Sequence, residues 1–120
     1  MAFAKDLEAV VLGVLQEGGR HGYEIARRIR EIDEGALNAR EGRLYPLLHR
    51  LEAEGAILGT WVPQDGRPPR KVYALTAQGW DALATHRAAW RSYAGAIESV
   101  LEHRTGVKVE EAGHEVIVRG

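Results

Sequence analysis

The chain has no cysteine, which excludes disulfides and thiolate-ligated metal sites. It has no apolar run near the roughly 18–20 residues that a membrane-spanning helix needs. Residues 1–19 carry neither a basic leader region nor a cleavage site, so a cytoplasmic protein with no membrane partner is expected. The histidines (His21, His49, His86, His103 and His114) show no His-x-x-x-His or Glu-linked spacing, and no metal is expected. Ser92 and Ser99 stand outside any nucleophile-elbow motif. The glycines from Gly13 to Gly19 imitate a phosphate loop without the Lys-Ser/Thr pair that carries its chemistry. Neither an enzyme nor a cofactor is expected. Repeats and low-complexity segments are also missing.

Net positive charge is absent too, since 16 Lys and Arg against 17 Asp and Glu leave −1. The distribution is uneven. Within residues 20–50 seven Arg stand against five acids, and within 63–71 three bases stand against Asp65, while residues 1–19 and 98–120 are acidic. Positive charge therefore collects on two segments, as it would in a protein that meets a polyanion. At 120 residues the chain is one domain plus an added element, small enough to gain from pairing.

The segment 43–55 has two faces and a stop. Leu44, Leu47, Leu48 and Leu51 fall at i, i+3, i+4 and i+7, the apolar stripe of a helix docked on a core. Arg43, Pro46 and Arg50, with His49 beside them, share the other side, and Gly55 ends the helix. Pro46 fits if the helix starts late, near Glu41, with Gly42 at i−4 easing the clash of the ring. Residues 57–62 read as a strand, 63–69 as a loop and 70–75 as a second strand. A basic helix followed by a hairpin with an Arg-bearing tip outlines a winged helix-turn-helix, whose helix enters the major groove and whose wing reaches the flanking backbone or minor groove.

Around this centre, residues 5–16 read as a first helix with Leu7, Val11, Val14 and Leu15 on one side. Residues 21–32 read as a second, with Ile25, Ile29 and Ile32 inward and Arg27 and Arg28 elsewhere. Residues 36–40 form a linker with room for a short extended piece. Thr76 is a good N-cap for a long helix to about residue 104, stopped by Gly106. Leu83, Trp90, Ala94, Ile97 and Leu101 follow a heptad-like seam along it. At about 1.5 Å per residue that helix reaches roughly 42 Å, which a second subunit would cover. The expected class is mainly α with a small β hairpin (α+β). Residues 1–75 are read as a winged helix-turn-helix, 76–106 as a dimerisation helix and 107–120 as a tail, either a short hairpin or a mobile end.

These residues resemble the PadR family of bacterial winged-helix transcriptional regulators, in its short form with a single C-terminal helix. The matching pieces are Leu15 with Gly18, His21-Gly22-Tyr23-Glu24-Ile25-Ala26, the run from Glu41 to Glu52, Gly55, Arg70-Lys71-Val72-Tyr73-Ala74-Leu75-Thr76, then Gly79, Leu83 and Trp90. The resemblance implies a homodimeric DNA-binding regulator, usually a repressor. The first and last helices would make the dimer contact, bringing in Leu7 and Val11 beside the seam. In some short members a flat aromatic effector lies between the subunits against a tryptophan that corresponds to Trp90. Arg43 stands where family members commonly carry Thr or Ser, which implies a stronger phosphate or guanine contact. The tail beyond Gly106 has no counterpart in the family pattern.

The expected partners are double-stranded DNA at a pseudo-palindromic operator, a second copy of the chain and a small aromatic effector. The expected DNA contacts are Arg27, Arg28, Arg40, Arg43, Tyr45, Pro46, His49, Arg50, Arg67, Arg70 and Lys71. Two readings of Tyr45 stay open: a ring under the helix with its hydroxyl on a phosphate, or core only. Trp90 is a plain seam residue or also a pocket wall. Gly22 and Tyr23 read as structural, a close backbone approach and a buried ring, and Trp80 as packing the last helix on the body. The alternative function is a winged-helix protein-interaction module or a ligand-sensing dimer without DNA readout.

Overall fold

The computed structural model describes residues 3–103. Its elements run α1 (Phe3–Leu15), β1 (Arg20–His21), α2 (Gly22–Asp33), α3 (Glu41–Ala53), β2 (Ile57–Gln64), β3 (Arg67–Leu75) and α4 (Ala77–Leu101). This is the expected mainly helical α+β fold. The strands form one antiparallel sheet in the order β1-β3-β2. The expectations for residue 104, for Gly106 and for 107–120 lie outside the described residues.

The apolar stripes legible in the sequence converge. Val11, Leu12 and Leu15 of α1, Ile25 and Ile29 of α2, Leu44, Leu48 and Leu51 of α3, and Ile57 are almost wholly buried in one cluster that Tyr73 closes from the sheet side. Each such side chain contributes about 1.5–3 kcal/mol by leaving water. Three inward expectations are corrected. Tyr23 is 49% exposed, and Ile32 and Trp80 are exposed as well. Ile32 sits in the last turn of α2, at the rim of the groove between α1 and α2, where the stripe has run past the core.

The turn from α2 to α3 is held locally and contains no strand. The Asp33 carboxylate accepts the backbone N–H of Gly35 at 2.7 Å and of Leu37 at 3.0 Å, and Arg30 donates to the Ala39 carbonyl at 2.9 Å. Such carboxylate-to-backbone bonds replace the ladder bonds that an extended linker would lack.

The hairpin is longer than expected, because 63–69 is not a loop. β2 and β3 pair from Ile57 with Leu75 to Gln64 with Arg67, with an irregularity between Val62 and Gln64, and turn at Asp65-Gly66. Prolines 68 and 69 are tolerated because β1 pairs β3 only at Val72 and Tyr73, leaving the outer half of β3 with a partner on one side alone.

The chain divides into two compact units between Arg87 and Ala88, within α4. The first turns of α4 belong to the first unit for physical reasons. Thr76 caps the helix, its Oγ1 accepting the Gly79 N–H at 3.0 Å, and it also donates to the Gly55 carbonyl at 2.6 Å. Gly79 and Leu83 are buried there.

Candidate nucleic-acid interface

α3 turns its leucines inward and leaves Arg43, Tyr45, Pro46, His49 and Arg50 exposed, with Arg40 at its N-terminal edge. The helix begins at Glu41, with the Leu44 N–H bonded to the Arg40 carbonyl at 3.0 Å, so Pro46 lies within its second turn. Tyr45 is 39% exposed, and its ring lies against Gly22. A Cβ on Gly22 would come within 2.6 Å of that ring, so the close approach expected at the start of α2 is there and Tyr45 makes it.

The wing is fastened to this helix. Lys71 on β3 donates to Glu52 of α3 at 2.8 Å, and the Gly59 N–H of β2 reaches the same carboxylate at 3.3 Å. The Lys71 hydrogen bond and charge hold Glu52 below the usual carboxylate range, and the bond from Lys71 to Glu52 raises the ammonium in turn. Lys71 also lies over the rings of Trp61 and Tyr73, at 5.8 and 5.5 Å from their centroids. Between the start of α2, α3 and the wing opens a cleft of about 430 Å³. Its lining includes His21 and Trp61, which sequence reasoning missed. The signal for Trp61 was its alternation with Ile57 and Gly59. His21 needed the β1–β3 pairing, which no local pattern announces.

Several expected DNA cations are committed within the chain. Arg28 meets Glu17 through Nε at 3.0 Å and Nη2 at 3.1 Å. Arg27 lies 3.9 Å from Glu31 and 5.7 Å from the Tyr23 ring centroid. Arg50 is paired as well. Its guanidinium donates to Glu8 of α1 at 2.8 Å and to Glu54 at 2.9 Å, which ties the end of α3 to α1. Arg40, Arg67 and Arg70 are exposed and have no ion pair among the described residues.

Glu8 joins three helices, since His86 Nε2 of α4 also donates to it at 2.8 Å. Burial pushes this carboxyl up, but hydrogen bonds from Arg50 and His86, with their charges, outweigh burial and hold it below the ordinary carboxylate range. A depressed folded pKa means stability that is present above the unfolded value and lost as pH falls through the folded one. Glu8→Gln is therefore expected to cost about 1–2 kcal/mol at neutral pH. The gap to the parent chain should close on acidification below about pH 4.5, the unfolded value from which Glu8 is lowered. Urea unfolding at both pH values checks this, and a gap that stays constant would remove Glu8 as the linked group.

The expected dimer residues separate into two groups. Leu7, Val11 and Leu83 are buried by the chain's own packing, at 6% exposure or less. Within the second unit Trp90, Ala94, Ile97 and Leu101 are exposed, together with Tyr93 and Val100. The Trp90 and Tyr93 rings stack with centroids 5.5 Å apart.

A three-helix body whose third helix presents polar side chains beside a two-stranded wing defines a winged helix-turn-helix protein. Among the described residues no helix is long and apolar enough to cross a membrane. The chain belongs to the transcriptional regulator PadR-like family, which residues 11–85 match. It is 34% identical over 103 residues to the transcriptional regulator Rv3488 of Mycobacterium tuberculosis, covering 86% of this chain and 82% of that protein. The crystal structure of a PadR-like transcriptional regulator from Bacillus cereus superposes with a TM-score of 0.71 at 28% identity, covering 82% of this chain and 93% of that one. The Bacillus subtilis PadR structure, solved with operator DNA, shares the fold at a TM-score of 0.60 and 24% identity, covering 91% of this chain and 51% of that one.

Proposed function

We propose that this regulator is a homodimeric, sequence-specific DNA-binding repressor released by a small aromatic effector. The observation that carries DNA binding is the fastening of the wing to α3 through Glu52, which sets the outward face of α3 beside a wing bearing Arg67 and Arg70. Arg43, Tyr45, Pro46 and His49 meet the major groove, with Arg40 at the edge, and the wing bases meet the flanking backbone. Arg27 and Arg28 reach phosphates only by sharing their carboxylates, and Arg50 and Lys71 act as struts. The relative solved with operator DNA supports this reading by its fold.

The exposed apolar strip of the second unit supports pairing with a second copy, which spaces two reading helices for a pseudo-palindromic operator. The stacked Trp90 and Tyr93 rings supply a flat surface for an aromatic effector. Repression follows where the bound dimer covers a promoter.

A duplex selected from a random pool tests the reading. Affinity should fall steeply with salt as counterions are released. Replacing Arg67 and Arg70 together by Gln should flatten the slope of log K against log salt by about one to two, at roughly 0.9 per phosphate contact, and leave the preferred sequence unchanged. A changed consensus with an unchanged slope would move the wing from backbone to bases. No selectable duplex at low salt would end the DNA-binding reading.

A further inference from the structure

The cleft between α2, α3 and the wing has a chemistry that the groove-reading face does not explain. Its cationic and ionisable lining comes from three elements: His21 at the start of α2, His49 on α3, and Arg70 and Lys71 on β3. Tyr45 and Trp61 form aromatic walls, and none of the lining residues is acidic. Lys71 is spent on Glu52, which leaves Arg70 as the strong donor that no ion pair occupies among the described residues. Such a pocket suits a compact anion, and it adjoins the outward face of α3 and the wing on which DNA binding was proposed.

We propose that this cleft seats one backbone phosphate of double-stranded DNA, held by Arg70 and by His21 as an imidazolium, so that DNA binding takes up a proton. The inference rests on the DNA-binding reading above.

The surroundings of His21 explain why the proton waits for the phosphate. Burial in the cleft wall disfavours the charged ring, and the charges of Arg70 and Arg27 add to that. Glu24, whose Oε1 lies 3.4 Å from His21 Nε2, opposes them without prevailing, so the free protein holds His21 below the ordinary histidine value. The other groups near it are the Tyr23 ring, stacked 6.3 Å away, and across the cleft Tyr45, His49, Lys71 and Tyr73, of which Lys71 keeps its charge on Glu52. A phosphate on Arg70 cancels the charge that weighs against the ring and offers it an acceptor. The pKa of His21 then rises on binding, and affinity gained at low pH is lost as pH climbs through the raised value.

The test uses the full chain and a labelled duplex carrying the selected site, at constant ionic strength from about pH 6 to about pH 8. The expected result is a loss of about three- to tenfold in affinity across that range, with uptake of about one proton seen by calorimetry in two buffers of different ionisation enthalpy. His21→Asn keeps a good helix cap and His21→Gln keeps length. Both should bind with a flat pH profile near the parent's high-pH affinity, and circular dichroism checks their folding. The imidazole nitrogens of His21 should take imidazolium shifts when duplex is added.

Tight binding by the parent chain without proton uptake overturns the proposal and leaves DNA binding standing. A slope that survives in both His21 variants and vanishes in His49→Gln also overturns it. So does inorganic phosphate producing the same His21 shifts without DNA at concentrations that leave other anions silent, because the site would then belong to a soluble anion. Absence of duplex binding at every pH fails the DNA reading and this one together.

Discussion

Ile97→Asp combined with Leu101→Asp is expected to give a folded monomer whose affinity for the full operator falls by more than about a hundredfold. Both side chains lie on the outward strip of α4, Ile97 at 41% and Leu101 at 74% exposure, where a carboxylate costs the lone chain little. In the proposed dimer the same positions would be buried, and two uncompensated charges there would be costly. The core of the first unit contains neither residue, so its folding is untouched. Every side chain proposed to face DNA also survives. The affinity falls because two half-sites roughly 34 Å apart are gripped together only when the subunits are linked, and the second contact then becomes intramolecular, worth about 10²–10⁴ in affinity. Light scattering gives the mass and fluorescence anisotropy the affinity. A variant that stays dimeric places the dimer elsewhere, and a monomer with full operator affinity breaks the link between pairing and reading.

The second large effect is expected from Gly79→Ala, one of the smallest changes the chain can undergo. An added Cβ would run into the Ala56 carbonyl and crowd Leu75. The carbonyl is backbone, and it is already the acceptor for the Thr76 N–H at 3.1 Å. Relief means sliding the start of α4 away, which strains the Thr76 cap and shifts Leu83 from the core. The cost should be about 2–4 kcal/mol. Gly13→Ala is the matched control, since its Cβ would meet nothing within 4 Å on a regular helix, and it should gain up to about 1 kcal/mol. Urea unfolding of the two variants decides the matter. If Gly79→Ala costs no more than a few tenths, the start of α4 is free to slide.

Periodicity carried much of the fold. Leu44, Leu47, Leu48 and Leu51 announced α3 and its hidden side, Thr76 announced the cap, and the runs 57–62 and 70–75 announced the two longer strands. Local pattern failed where the partner lay far along the chain. Arg20 and His21 are a strand only because β3 offers them an edge. Prolines 68 and 69 looked like loop because propensity cannot show that half of β3 has one open side. The site was legible as a face and not as a set of free charges. Pairing Arg50 with Glu8 or Lys71 with Glu52 requires knowing which helices and strands meet, and the sequence separations are 42 and 19. Part of the local excess of arginine is paired with carboxylates of the chain itself.

The bond from Lys71 to Glu52 and that from the Gly59 N–H to the same carboxylate have a thermodynamic and a metric consequence. Folding has already met part of the entropy of ordering the wing, so an encounter with a duplex has less of it left to lose. A helix and a wing tethered at one carboxylate also act as a gauge. On the proposed binding mode they fit duplex whose grooves are spaced to match or that bends cheaply into that spacing, and base steps that no side chain touches would thereby acquire a say in where the protein settles.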